Sequence, residues 1–174
     1  LGVCNGCQLM LRLLPEFSNY TLTTNLSDRF ESRFSQVHIP DQPVTRASPW
    51  LGHLTNSTLG IWVAHKEGRF ITKSSPLPSQ SSPLPSHPTP LQSQFSTPSA
   101  PIYYSTTDDY PTTDYPLNPN GSLDGRAAIL DSTGRHLAMM PHPERSFYYW
   151  QWPWVNAGLK NNTILPYHNL APSP

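Results

Sequence analysis

The chain has 174 residues, with 11 basic and 11 acidic side chains, a formal net charge of zero and only 13% charged residues. One modest domain is the natural reading, and so balanced a charge gives no reason to expect nucleic acid or a membrane surface as partner. No apolar run approaches the roughly 20 residues of a membrane span, no basic-then-apolar leader opens the chain, and two cysteines three apart make a poor disulfide framework, so a reducing, cytoplasmic compartment is expected.

The first ten residues read as the end of a buried strand, a sharp turn carrying Cys4, and the start of a helix. Gly2 and Gly6 stand two residues either side of Cys4, the spacing of a nucleophile elbow in which only glycine fits the flanking positions. A cysteine at a helix N-terminus meets free amides and the positive end of the helix dipole, which favour the thiolate. Cys7, Met10, Leu11 and Leu14 then form an apolar helical stripe that Pro15 ends. Cys4 and Cys7 also make C-x-x-C, half of a zinc site or a dithiol redox pair, although the chain holds no further cysteine to complete such a zinc site. Two ordinary buried cysteines are the third reading. Since Leu1-Gly-Val already looks like the inside of a strand, the chain is expected to begin in mid-domain.

Glu16 to Asn25 is polar and turn-like. From Asp28 to Ile39 one or two strands are expected, bent between them, with Phe30 and Phe34 on one face and Arg29, Glu31 and Arg33 on a solvated one. Pro40 to Thr58 reads as a loop with a helical turn near Trp50. Gly60 to Ala64 is a short apolar strand, His65 to Gly68 turns it, and Arg69 to Ile71 leaves in extended form. His65 and Glu67 are read as turn residues, because nothing beside them supplies a nucleophile.

From Ser74 the composition changes: Ser-Ser-Pro-Leu-Pro-Ser occurs at 74–79 and again at 81–86, and much of the chain's total of 21 prolines lies in this bias up to Pro101. Such a segment cannot bury enough apolar surface to offset its ordering entropy, and a disordered polyproline-type spacer is expected. Four segments follow: 1–73, the elbow half of a domain; 74–101, the insertion; 102–154, a second half of the same domain; and 155–174, an irregular tail. Order returns at Ile102-Tyr-Tyr. Tyr115 to Ser122 is dense in turn residues, and its Asn120-Gly121-Ser122 stretch can aim backbone amides at a ligand. Ala127 to Leu130, a turn through Gly134, and His136 to Met140 form a hairpin.

The hairpin leads into Pro141-His-Pro-Glu-Arg145. Proline after His142 biases it to extended backbone, in which residues i and i+2 face one side, so His142 and Glu144 project together. A carboxylate that orients an imidazole is what an activated cysteine needs as its base. Tyr148 to Trp154 is strongly aromatic and either covers this domain or docks on another. Glycosylation sequons at Asn19, Asn25, Asn56, Asn120 and Asn161 are read as chance.

Five stretches in this order, Gly2-Val-Cys-Asn-Gly-Cys-Gln8, Asn25 to Arg33, Ala64-His-x-Glu-Gly-Arg69, Tyr115-Pro-x-Asn-Pro-Asn-Gly-Ser122 and Met140-Pro-His-Pro-Glu-Arg145, together resemble the glutaminase domain of the phosphoribosylformylglycinamidine synthases, within the class I amidotransferases. The resemblance covers most of residues 1–154 apart from the insertion. It implies an α/β, flavodoxin-like fold, a mainly parallel sheet with flanking helices, incomplete at its N-terminus. It implies Cys4 as nucleophile toward glutamine, His142 as proton shuttle and Glu144 as its orienter. The Asn5 amide becomes an oxyanion donor, with the second donor on an upstream glycine-rich loop, and Gln8, Asn120, Gly121 and Ser122 become candidates for holding glutamine. No cofactor or metal is implied for this segment; ATP and magnesium belong to a partner synthetase domain, to which ammonia passes. The sequence departs from the family at Lys66, usually glycine, in the Pro/Ser tract and in the last twenty or so residues. Little glutaminase activity is expected of the isolated chain. The competing function is a catalytically inactive amidotransferase-like protein serving protein–protein contacts, and the intact Cys4, His142 and Glu144 set argues for the enzyme.

Overall fold

A computed structural model describes residues 1–73, 100–106 and 108–153. The spacer from 74 to 99 and the tail from 154 onward, Trp154 included, lie outside the described residues. Ala100 and Pro101, read as the end of the spacer, are buried.

Strand β1 (Gly2–Val3) runs into helix α1 (Asn5–Leu13), which buries Cys7 and Leu11. The stripe read from the sequence is the packed face of this helix, and the chain leaves it at Leu14 in extended backbone before Pro15. Then come β2 (Tyr20–Thr23), β3 (Glu31–Ile39), a short helix α2 (Pro43–Ala47), β4 (Ser57–His65), β5 (Arg69–Thr72) and β6 (Tyr103–Tyr104). The expected hairpin is present as β7 (Ala128–Leu130) and β8 (Leu137–Met139), with Gly134 at φ 74° in its turn.

The class is α/β, but in place of one mainly parallel sheet the described strands form three, a mixed β1–β8–β7 and antiparallel β2–β5 and β4–β3–β6. β1 pairs parallel with β8, and the other ladders among the described residues, β2–β5, β3–β4, β3–β6 and β7–β8, are antiparallel. A parallel pair needs a long crossover, whereas short turns such as 131–136 can only return the chain antiparallel.

Strand β8 explains how the domain is layered. Leu137 and Met139 face a cluster with Val37, Ile39, Ile61 and Val63 of the β3–β4 sheet. Ala138 and Met140 face the opposite side, against Cys7 and Leu11 of α1 and Phe17 and Phe70. A strand covered on both faces has no polar alternation to show, which is why Leu-Ala-Met-Met reads as a continuous apolar run. Residues from before and after the spacer share each cluster, so the two segments read from the sequence are one core.

Two local expectations change. Within Asp28 to Ile39 the strand is Glu31–Ile39, one of the two alternatives expected, but Glu31 is buried instead of solvated, held by Ser27 Oγ at 2.6 Å and by Arg33 Nη2 at 2.6 Å. The helical turn falls at Pro43–Ala47, ahead of Trp50, where proline fits the first helical turn and Gln42 and Thr45 form a reciprocal cap. Arg69–Thr72 is extended, as expected, and pairs with β2, Thr23 opposite Arg69. Asn25 and Asn120, two of the sequon residues, are buried.

Candidate active site

The elbow forms as its spacing requires, though the two glycines do different work. Cys4 has φ 51° and ψ −106°, a backbone that side-chain-bearing residues rarely adopt. Its amide is fastened to the Met139 carbonyl at 2.9 Å, and its own carbonyl accepts from Gln8 N at 3.0 Å to open the helix. A Cβ on Gly2 would stand 2.3 Å from Met10 Sδ and 2.7 Å from the Gly6 carbonyl oxygen, so glycine is obligatory there. A Cβ on Gly6 would meet nothing within 4 Å. The expectation that both flanks are sterically confined therefore holds only for Gly2.

The parallel register of β1 with β8, Val3 opposite Met139, makes both strands end at the same level. Cys4 is the residue after one strand and His142 lies three after the other. Strand β4 seats them both: His142 N donates to the Trp62 carbonyl at 2.8 Å, while the Cys4 thiol points to the Ala64 carbonyl at 3.9 Å. Carbonyls two apart on a strand lie along the same edge, so one edge of β4 holds base and nucleophile side by side.

His142 Nδ1 and Glu144 Oε1 are 2.6 Å apart. The pairing was expected from extended backbone; instead Pro143–Arg145 is a single 3₁₀ turn, closed by Arg145 N to the His142 carbonyl and Ser146 N to that of Pro143. Proline is suited to the first position of such a turn, and the turn brings the carboxylate back to its neighbour. Glu144 stays below the usual carboxylate range: burial pushes it up, but the hydrogen bond from His142 and the nearby charge of Arg145 outweigh that. An ionised carboxylate only accepts, so Nδ1 carries the proton and Nε2 presents a lone pair. That Nε2 is buried and has no hydrogen-bond partner.

Cys4 is half-buried, and burial pushes its thiol up; the Asn5 amide, directed at the sulfur, and the Arg145 charge oppose this, and Glu144 adds to it. The expected thiolate at a helix N-terminus is thus corrected: desolvation outweighs the amide, and the resting group is a thiol that needs a base. Cys7 is fully buried, with its thiol pushed far up by desolvation, so it supplies no thiolate for a redox pair. No group of three or more potential metal-binding side chains occurs among the described residues.

The glutamine-holding candidates divide. Gln8 is partly exposed on α1, donates Nε2 to the Glu67 carbonyl at 3.1 Å, and borders a cleft of about 230 Å³ with Arg12, Tyr20 and Lys73. Asn120 and Ser122 are fully buried. Asn120 Nδ2 donates to the Gly68 carbonyl at 2.8 Å and meets His65 Nε2 at 3.2 Å, and Ser122 Oγ accepts from Phe70 N at 2.9 Å. The amides of Gly121 and Ser122 are taken by Asn118 Oδ1 and Asn120 Oδ1. The Asn120 and Ser122 side chains and the Gly121 and Ser122 amides are thus spent inside the protein, bracing the 65–70 loop.

His65 is a structural residue, as read from the sequence. Its ring lies so close over Gly68 that a Cβ there would approach within 2.2 Å of it. Burial, with the His142 ring adding and Glu31 opposing, pushes His65 down to about 4. The unfolded chain takes up this proton near pH 6.5 and the folded chain only near 4, so acidification through that window favours unfolding by roughly 3 kcal/mol. We expect the denaturation midpoint to fall between pH 7 and pH 4.5, and His65→Gln to flatten that fall. An unchanged slope in the variant would exclude His65 as its source.

Sequence reasoning missed three residues that hold the site. Trp62, Ser146 and Gln151 carry no periodic signal; the only hint is a glutamine inside an otherwise aromatic run.

A family profile described as the CobB/CobQ-like glutamine amidotransferase domain matches residues 1–170. The chain belongs to this family. It is 42% identical to the probable phosphoribosylformylglycinamidine synthase, chloroplastic/mitochondrial, of Arabidopsis thaliana, over 88% of the chain and 10% of that protein. It is 36% identical to the Dictyostelium discoideum phosphoribosylformylglycinamidine synthase over 93% of the chain and 11% of that protein. With the human synthase the identity is 38%, over 98% of the chain and 13% of the relative. The chain thus spans about a tenth of the length of these relatives. The solved structure of PurLQS from Thermotoga maritima shares the fold, with a TM-score of 0.56 at 18% identity, over 86% of this chain and 53% of that one. Among the described residues no helix of this amidotransferase domain is long and apolar enough to cross a membrane.

Proposed function

We propose that this domain hydrolyses glutamine through Cys4, His142 and Glu144, and that the ammonia serves the ATP- and magnesium-dependent conversion of formylglycinamide ribonucleotide to its amidine. The observation that carries the reading is the 2.6 Å contact of Glu144 with His142 Nδ1, which leaves Nε2 buried, unpartnered and level with a strained cysteine. His142 Nε2 takes the Cys4 proton as sulfur attacks the carboxamide carbon. Negative charge develops on the carbonyl oxygen within reach of the Asn5 amide, the donor kind that stabilises such an oxyanion. The imidazolium then returns its proton to the leaving nitrogen, ammonia departs, and a glutamyl thioester remains. Water, deprotonated by His142, cleaves the thioester to glutamate and restores the thiol.

Glutamine, the synthetase partner and the nucleotide belong to this proposal, which draws on the names of the relatives and on the sequence motifs. Gln8, beside its cleft, is our remaining candidate for holding glutamine. We place the enzyme in the cytoplasm; the Arabidopsis relative's name gives the organelle as the other compartment to test.

Labelling of the full-length native polypeptide with 6-diazo-5-oxo-norleucine tests the reading. One adduct per chain is expected, on Cys4 by peptide mapping, with Cys7 unmodified and glutamine protecting. Labelling that persists in Cys4→Ala, or that glutamine fails to slow, would sink it.

A further inference from the structure

The aromatic run at 147–152 is absent from the chemistry above, yet the loop carrying His142 and Glu144 is tied to it on several sides. Trp62 of β4 is the junction. Its carbonyl accepts from His142 N at 2.8 Å, and its amide donates to Ser146 Oγ at 3.2 Å. Its indole Nε1 donates to the Gln151 carbonyl at 2.7 Å. The Gln151 side chain then reaches back: Nε2 donates to the Glu144 carbonyl at 3.1 Å, and Oε1 accepts from Tyr148 N at 2.9 Å. Trp152 Nε1 donates to the fully buried Ser146 at its carbonyl, 2.7 Å away. Both indoles are wedged against Phe34, with ring centroids 5.3 and 5.2 Å from it. A Cβ on Gly60 would collide with the Phe34 ring at 2.4 Å, so β4 is bare at the spot where this cluster sits.

Glu144 has reason to need such a mooring. Its side chain is about half exposed, and its side-chain partners are His142 and, at 3.5 Å, Arg145. Its backbone lies in a three-residue 3₁₀ turn, which closes with two hydrogen bonds of its own. A carboxylate open to water keeps a 2.6 Å contact only if the backbone beneath it is fixed, and displacement by about 1 Å can cost on the order of 10² in rate.

We propose that Gln151 is a positioning residue for the catalytic pair: its side-chain amide fixes the Glu144 backbone, and the Trp62 indole in turn fixes Gln151. Gln151 and Trp152 therefore hold this domain's own active-site loop, whereas Tyr148 and Trp150 of the same run stay exposed. The inference rests on the glutaminase reading, since it acts through His142 and Glu144.

The test is glutamine hydrolysis by the full-length native polypeptide, comparing wild type, Gln151→Met and Trp62→Phe. Gln151→Met keeps the volume and removes both side-chain hydrogen bonds; Trp62→Phe keeps a ring against Phe34 and removes only the indole donor. Gln151→Met is expected to lower kcat about tenfold with KM within about twofold. The loss should appear in kcat per folded molecule, because a carboxylate that has drifted from the imidazole no longer orients it. Trp62→Phe should move the same quantities the same way by a smaller factor, and serves if Gln151→Met does not fold. A variant with wild-type kcat overturns the inference alone. So does a loss of kcat that only tracks the folded fraction, or one that KM shares in full, which would mark a merely structural role. A wild type that neither hydrolyses glutamine nor labels at Cys4 overturns the glutaminase reading, and this inference with it.

Discussion

Cys4→Ala and Cys4→Gly in the full-length native polypeptide are both expected to abolish glutamine hydrolysis, while the glycine variant is the more stable of the two. Removal of an acyl-transfer nucleophile typically costs on the order of 10⁴ or more in kcat, since the oxyanion donor and substrate binding retain only the remainder. The stability difference comes from the backbone. At φ 51° and ψ −106° Cys4 occupies a region that is open to glycine and strained for any residue with a Cβ, at roughly 1–3 kcal/mol. Glycine relieves that strain and loses about 0.5–1 kcal/mol through its freer unfolded chain, which leaves it about 1 kcal/mol ahead of alanine. The strain persists because three neighbours impose it: the Met139 carbonyl on the amide, the first turn of α1 on the carbonyl, and the bare Gly2 on the approach. Equal denaturation midpoints for the two variants would show that the elbow is not strained. Turnover above a thousandth of wild type in either would show that Cys4 is not the nucleophile.

What the sequence made legible was local. Gly2, Cys4 and the stripe through Leu14 specify a turn and a helix within fourteen residues, and the elbow is there. The β7–β8 hairpin follows from two apolar runs around Asp131 to Gly134, again within short reach. The composition of Pro141–Arg145 revealed which side chains pair, although the backbone that pairs them is a 3₁₀ turn and not the extended chain that alternation suggested. The illegible parts depend on partners far along the chain. β5 pairs with β2, and Phe17 and Phe70, far apart in the chain, share a cluster with α1; nothing in the turn at 65–68 discloses either. Glu31 looks solvated by alternation, but β3 is covered at its start by the 25–29 loop, and Arg33 and Ser27 satisfy the buried charge. Asn120 and Ser122 show the same limit for function. A turn rich in Asn, Gly and Ser can offer amides to a ligand or to itself, and only the burial of Asn120 against Gly68 and His65 decides that it serves itself.

Glu144→Gln is expected to lower kcat for glutamine hydrolysis by about 10²–10⁴ with KM changed by no more than a few fold. The substitution preserves the shape of the side chain and so separates its charge from its place. An ionised carboxylate accepts from Nδ1 and leaves the lone pair on Nε2, where the Cys4 proton must go. An amide can turn its NH₂ toward Nδ1, which stabilises the opposite tautomer and puts a proton where the base should be. It also brings no negative charge to balance the imidazolium formed as sulfur attacks. The loss should persist at alkaline pH, because a wrong tautomer is not corrected by removing protons from the protein. Glu144→Asp makes the complementary change: charge is kept, but a side chain one methylene shorter cannot hold a 2.6 Å contact from the same 3₁₀ turn. A loss of about 10-fold to 100-fold is expected there, in the range that misplacement by an ångström produces. If Glu144→Gln keeps more than a tenth of wild-type kcat, the carboxylate is not what orients His142. If the aspartate variant is instead the worse of the two, position outweighs charge, and the turn moored by Gln151 becomes the more important half of the catalytic pair.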